Sequence, residues 1–286
     1  MPSEPTVRKG AGEIEPFSEY KLNHYLNQAG VIKKNRGEIL ELIKSNLKKD
    51  PLPTSVIHKL TYQYLIQTDP ASAARYNLRQ AVMELGPTGY PFEQYVAQLL
   101  NHQDYQTRTN QIVRGACVSH EVDIIAQKKQ SHIMIECKYH NRRGSRSDVK
   151  TALYVWARFE DIRQAWEKHQ HDTHEIHQVW LVTNTKVSTD AEDYAKCRGL
   201  HVISWYRPYR HSLKDMIVNT GLWPITCLSS LNEDDKMKLV EQNLVLCKDI
   251  NQTDKKTLQK LKISNLAAAQ AEAQLICTVP NIETSN

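Results

Sequence analysis

Two short apolar runs open the chain, at 7–9 and 14–17, on either side of the turn signal Gly10-Ala11-Gly12, and together they predict a β-hairpin. Apolar positions then recur at helical spacing over 20–29, 36–47, 54–67 and 70–85. Thr54 and Asp69 suit the N-caps of the last two helices, and Pro70 suits a first helical position. Gly86-Pro87-Thr88-Gly89 ends the segment, because glycine closes helices and proline cannot continue one.

The texture changes after residue 89. Phe92, Val96, Leu99 and Leu100 mark one face of a helix over 91–101, and three strands follow at 106–113, 121–126 and 132–139. A long helix covers 147–168. The apolar runs 178–183 and 200–205 read as buried strands, with a crossover helix at 190–198 between them. This order predicts an α/β sheet with helices on both faces. From Leu222 the chain is helical and polar, 266–277 is rich in Ala, Gln and Leu, and 279–286 is expected to be a disordered tail. Three domains are therefore expected, at 1–89, 90–221 and 222–286. No repeat of 20–50 residues is present.

The strands of the middle segment carry the candidate chemistry. Asp123 sits in Val122-Asp123-Ile124-Ile125, and Glu136 and Lys138 sit in Ile133-Met134-Ile135-Glu136-Cys137-Lys138. A carboxylate in an apolar strand is costly to bury unless something pairs with it. Glu136 and Lys138 are two apart and project from one face of their strand, while Cys137 faces the other. With Asp123 on the adjacent strand, two carboxylates and an ammonium converge. Such a set suits phosphodiester hydrolysis, with Asp123 and Glu136 holding Mg²⁺ or Mn²⁺ through oxygen and Lys138 orienting a water and stabilising developing charge. Glu93, on the preceding helix, would complete the metal site, and Glu121 lies on the same strand face as Asp123. After Lys138, a flexible basic loop carries Arg142, Arg143 and Arg146, which suit contacts to a DNA backbone. The equally open alternative is an ordinary solvated loop.

Taken together, Tyr90-Pro-Phe-Glu93, Tyr105-Gln-Thr, His120-Glu-Val-Asp123 and Glu136-Cys-Lys138 resemble the Mrr-type restriction-endonuclease-like family over roughly residues 88–206. The resemblance implies a PD-(D/E)XK active site with Asp123, Glu136 and Lys138 as its signature and Glu93 at the helical acidic position. Many Mrr relatives carry Gln at the position of Glu136.

A second resemblance covers roughly residues 5–86. Val7, Lys9, Gly12, Glu15, Phe17, Lys21, Thr54-Ser-Val-Ile-His58 and the helix from Asp69 to Tyr76 resemble the ATP-cone, a nucleotide-sensing module. It implies ATP or dATP as an allosteric ligand, with Lys9 and Lys21 near phosphates and Val7, Glu15, Thr54 and His58 around the rest. Gly10 stands where that family usually has arginine. No Walker motif is present, so nucleotide is expected as ligand and not as fuel. The C-terminal stretches 238–246 and 258–265 resemble helix-hairpin-helix modules, with Asn243 and Lys262 where those have glycine.

Composition narrows this little further. A length of 286 residues favours two or three domains over one core. No apolar run is long enough to span a bilayer, and residues 1–10 lack a signal's apolar core, so a cytoplasmic protein is expected. The six cysteines are scattered without a CxxC pair, which argues for reduced thiols over zinc or disulfides. His169, His171, His174 and His177 lie in a polar link, which argues against a zinc site. The net charge of +5 permits a nucleic-acid partner. The fold expected is thus a small α-helical ATP-cone with a β-hairpin, a central restriction-endonuclease-like α/β sheet, and a C-terminal helical segment. The expected function is a metal-dependent DNA endonuclease under ATP or dATP control, and a homodimer would supply the two active sites that cutting both strands needs. The alternative is a non-catalytic, ATP-responsive DNA-binding regulator.

Overall fold

A computed structural model describes residues 5–10, 12–47, 51–142, 144–168 and 176–278. Ala11, Arg143, His169, His171, His174 and the stretch 279–286 lie outside the described residues. The chain forms two compact units. The first comprises 1–78, 227–232 and 250–286, and the second 79–226 and 233–249. The residues after 221 are thus divided between both units.

The first unit opens with β1 (Thr6–Arg8) and β2 (Ile14–Pro16), followed by α1 (Glu19–Gln28), α2 (Lys33–Asn46), β3 (Leu52–Pro53) and α3 (Thr54–Thr68). Next comes α4 (Pro70–Met83), whose last turn belongs to the second unit. The predicted hairpin forms, with Val7 opposite Glu15, and gains an unforeseen third strand because β3 runs parallel to β1. Leu22, Leu26, Ile39, Ile43, Ile57 and Leu65 close the core beneath it, at the helical spacing read from the sequence. Asp69 caps α4 through its Oδ1, which accepts from the Ser72 amide. Thr54 is not a cap: Pro53 holds that position, and Thr54 is already the first helical residue.

The second unit is built on a mixed sheet of order β10-β8-β6-β5-β4. Its elements in chain order are α5 (Tyr90–Asn101), β4 (Gln106–Arg114), β5 (Ser119–Lys128), β6 (Ser131–Lys138), β7 (Arg146–Ser147), α6 (Val149–Lys168), β8 (Ile176–Thr183), β9 (Lys186–Val187), α7 (Thr189–Arg198), β10 (His201–Ile203) and α8 (Leu213–Thr220). β4, β5 and β6 pair antiparallel, whereas β6, β8 and β10 run parallel. Central β6 is buried at four successive positions, His132 to Ile135, as a strand with neighbours on both sides requires. Edge strand β4 alternates exposed and half-buried residues. Val155, Phe159 and Ile162 of α6 pack with Met134, Val179 and Leu181. The last strand is shorter than its apolar run suggests, because Ser204 and Trp205 turn into a loop whose bonds go elsewhere.

Four helices complete the chain: α9 (Glu233–Glu241), α10 (Asp249–Gln252), α11 (Lys255–Leu261) and α12 (Leu266–Thr278). Asn243 and Lys262 both take positive φ, at 58° and 52°. Both are non-glycine residues in a conformation that glycine and asparagine adopt most readily. In the first unit, buried Glu272 of α12 accepts from the amides and hydroxyls of Ser229 and Ser230.

Candidate active site

Antiparallel register brings the acidic residues together. The β5–β6 ladder pairs Ile124 with Ile135, so Asp123 and Glu136 are the next opposed pair, at the point where the ladder ends. On the other side the β4–β5 ladder omits the pair Asn110 and Asp123, and Asn110 has a left-handed φ of 52°. The backbone around Asp123 is thus released from both neighbours. Its side chain takes over one of these bonds, with Oδ2 accepting from the Cys137 amide at 2.7 Å. A carboxylate thereby sits inside a sheet at the mouth of an opening.

Asp123, Glu136, Glu121, Ser119, His120, Tyr154 and Arg158 line an open cleft of about 300 Å³. Burial pushes the Glu136 carboxyl up to about 7, and the nearby Asp123 charge adds to the rise. Burial likewise raises Asp123, opposed by the Cys137 amide and by Arg158. Glu93, on the first turn of α5, is pushed up to about 7 by burial and then by the charges of Asp123, Glu136 and Glu121. The Asp123 charge raises both Glu136 and Glu93, so these acids face a common region. Lys138 is exposed at the end of β6 and is close enough for its charge to favour ionisation of both Asp123 and Glu136, but it does not line the cleft. Glu93 does not line it either.

Two participants were not apparent in the sequence. Arg158, on α6, is buried and pairs its Nη1 with Glu136 Oε2 at 2.5 Å. A buried carboxylate demands such a partner, but nothing in a helical periodicity says which arginine of α6 will supply it. The second is the pair of His120 Nε2 and Asp161 Oδ2, 2.7 Å apart, of which His120 lines the cleft. Asp161 also accepts from the amides of Cys117 and Val118, and these bonds, the His120 one first, hold its carboxyl well below the usual range. The turn fits around it only because residue 115 is glycine: a Cβ there would lie 2.1 Å from Asp161 Oδ2.

The donor set decides how a divalent metal could be held. Among the described residues, no three His, Cys, Asp or Glu side chains are drawn tightly enough to form a complete metal cluster, so Glu93, Asp123 and Glu136 do not make a three-ligand cage. Mg²⁺ does not need one, since it is usually held by one or two carboxylates with water and substrate oxygens completing the shell. Two mutually repelling acids at the end of the β5–β6 ladder fit that requirement.

The basic loop after β6 is held at its two ends. The His140 amide donates to Asn184 Oδ1, Asn184 Nδ2 donates back to the His140 carbonyl, and β7 pairs with β9. Arg142 and Arg146 are exposed on it. In the first unit, Lys9 and Lys21 converge on Glu15, at 2.8 and 3.1 Å. His58 stacks on Tyr76 with ring centroids 4.9 Å apart. Val7 is a core residue, so any ligand contact from it would be through its backbone. Thr54 and His58 share α3.

Residues 87–207 match the catalytic-domain family Mrr_cat, described as restriction endonuclease, and residues 223–277 match the AF1548-like C-terminal family. An uncharacterised protein of Archaeoglobus fulgidus is 33% identical over 179 residues, which are 63% of this chain and 97% of the relative. The crystal structure of a protein of unknown function, AF1548, is similar with a TM-score of 0.56 and 34% identity, covering 66% of this chain and 98% of that one. Among the described residues, no helix is long and apolar enough to cross a membrane.

Proposed function

Because the chain belongs to the AF1548-like family and carries a restriction-endonuclease domain over residues 87–207, we propose that it is a metal-dependent DNA endonuclease whose active site is Asp123, Glu136 and Lys138. The observation that carries this reading is the opposed Asp123–Glu136 pair at the end of a ladder, with Lys138 two residues further along the same strand. Asp123 and Glu136 would hold Mg²⁺ or Mn²⁺, with Glu93 completing the site. Once bound, such an ion polarises a phosphodiester and makes a coordinated water acidic. Lys138 orients the attacking water and stabilises charge that develops on the phosphate oxygens. The Asp123 side chain is fixed by the Cys137 amide, so the site needs little rearrangement to receive substrate. Arg158 fixes Glu136 and restrains its orientation. Arg142, Arg143 and Arg146 contact the DNA backbone.

Residues 5–86, on this reading, form an ATP-cone that binds ATP or dATP without turnover and controls the nuclease, through a homodimer. The convergence of Lys9 and Lys21 on one carboxylate supports it, because a polyphosphate would compete with Glu15 for both ammoniums. One observation favours the alternative, a non-catalytic DNA-binding regulator: Arg158 already neutralises Glu136 without any metal. The two are separated by incubating the purified chain with duplex, methylated, branched and single-stranded DNA in Mg²⁺, and again with EDTA. Cleavage of any of these that EDTA stops supports the nuclease, whereas binding without cleavage across the panel supports the regulator.

A further inference from the structure

The parallel strands β6, β8 and β10 all end at one edge of the sheet, the edge where Lys138 lies. Crevices outside the carboxyl ends of such strands are where α/β proteins bind ligands. After β10 the chain enters the loop 204–212, of sequence Ser-Trp-Tyr-Arg-Pro-Tyr-Arg-His-Ser. Its apolar anchor is Trp205, only 2% exposed, whose amide donates to the Thr185 carbonyl. The loop is closed by the Ser204 amide donating to the Arg207 carbonyl and the Leu213 amide donating to the Ser204 carbonyl. It ends in a capping box, where Ser212 and Asp215 start α8.

On this fixed frame two aromatic rings face solvent, Tyr206 at 48% exposure and Tyr209 at 76%. Burying neither ring forgoes a hydrophobic gain that a loop this well anchored had every opportunity to take. A guanidinium lies at each ring: Arg79 is 5.7 Å from the centroid of Tyr206, and Arg210 is 5.4 Å from that of Tyr209. Arg207 and His211 are exposed beside them. Among the described residues no carboxylate pairs with Arg79, Arg207 or Arg210. The patch is therefore aromatic and cationic, with no ion pair to these arginines among the described residues.

Helix α4 ties this patch to the candidate site. Tyr139, next to Lys138, donates its hydroxyl to the Met83 carbonyl. Arg79, over Tyr206, stands one turn before Met83, a rise of about 5–6 Å. Across the sheet, β10 is two strands from β6, or about 10 Å. That is about three base steps of a stacked strand.

We infer that the loop 204–212 is a binding site for an unpaired stretch of the DNA substrate, with Tyr209 stacking on an exposed nucleobase and Arg207 and Arg210 meeting the flanking phosphates. The inference deepens the nuclease reading and rests on it for the substrate, since it makes the preferred DNA one that has a frayed, mismatched or single-stranded segment near the cut. Stacking on an aromatic ring is sequence-tolerant, because every base presents a π-face. The arginines supply the salt-dependent share of the affinity.

The test measures binding of the full chain to fluorescent oligo-dT, to an abasic strand of the same length, and to duplex, all in EDTA so that no outcome depends on cleavage. Wild type is expected to bind oligo-dT more tightly than the abasic strand. Tyr209→Ala should weaken oligo-dT binding by about 5- to 150-fold, the range given by loss of one stacked base, and leave the abasic strand unchanged. Tyr209→Phe, which keeps the ring, should retain the affinity. Arg207→Ala with Arg210→Ala should reduce the slope of log K against log salt by about 1.4, or about 0.7 for each phosphate that is no longer neutralised. Equal wild-type affinity for oligo-dT and the abasic strand, or equal losses on both in Tyr209→Ala, would overturn the stacking site. Failure to bind any unpaired strand would do the same. Single-strand binding through Tyr209 by a protein that cuts nothing would leave this inference standing and remove the nuclease reading.

Discussion

Replacing Arg158 by Met keeps most of the buried stem and removes the charge that faces Glu136. The two side chains are 8% and 16% exposed, so water replaces little of the lost interaction. Breaking a buried pair from one side is destabilising, because the carboxyl left behind must either stay charged without its partner or take up a proton. Here the cost depends on pH. Glu136 titrates at about 7 with Arg158 present, and Arg158 is one of the influences holding that value down, so the variant's carboxyl stays protonated to higher pH. Both proteins lose stability as pH rises from the unfolded carboxyl value toward about 7, because the folded state holds the extra proton there. Above that the wild type has ionised and levels off while the variant continues to lose. Between pH 6 and 8 the wild-type carboxyl goes from about one-tenth to about nine-tenths ionised, which integrates to about one proton over one pH unit, or about 1.4 kcal/mol. Arg158→Met should therefore be more destabilising at pH 8 than at pH 6 by about 1.4 kcal/mol. All five tryptophans, at 156, 166, 180, 205 and 223, lie in the second unit, so urea unfolding followed by tryptophan fluorescence reports on that unit alone. An equal loss at both pH values would refute the reasoning, as would a coupling with Glu136→Gln below about 1 kcal/mol in a double-mutant cycle.

Three further outcomes follow from the geometry. Gly115→Ala places a Cβ against Asp161 Oδ2 and the Val118 carbonyl, so it should lower the urea midpoint of the second unit by the equivalent of about 2–3 kcal/mol; a neutral result would mean that the turn is not held by Asp161. Glu272→Ala strips acceptors from the amides of Ser229 and Ser230 and should cost about 2–4 kcal/mol, read by circular dichroism, whereas a cost under about 1 would show that those amides find water instead. Titration calorimetry with ATP and dATP should show binding that is lost in Lys9→Ala with Lys21→Ala, and no heat with any nucleotide removes the sensor role.

Much of the fold was legible because it rests on local periodicity. Helical spacing located α1 to α7, and the apolar runs located β4, β5, β6 and β8, each within a few residues. What sequence reading missed depends on partners distant along the chain. β3 is a strand only because β1 offers it an edge, and β7 and β9 exist only as each other's partner. The site divides in the same way. Asp123, Glu136 and Lys138 were readable as charges in apolar strands, and the register then opposes the two acids. Arg158 was not, because α6 also carries Arg163, which pairs with Glu160 and Glu167 instead, and only the packing of the helix on the sheet chooses between them. The His120–Asp161 pair was invisible for the same reason, its members lying 41 residues apart. Asn243 and Lys262 were legible as turn positions even without glycine, and both adopt the left-handed conformation.

The central claim is that Asp123, Glu136 and Lys138 cut phosphodiester bonds with a divalent metal, and single-turnover cleavage of DNA across a Mg²⁺ titration tests it most directly. Cleavage by wild type is expected to saturate with Mg²⁺. Both Asp123→Asn and Lys138→Ala should lose about 100-fold or more, with tryptophan fluorescence and urea midpoints showing the second unit still folded. Equal cleavage by wild type and both variants, or cleavage by wild type that is unchanged in EDTA, would contradict the claim.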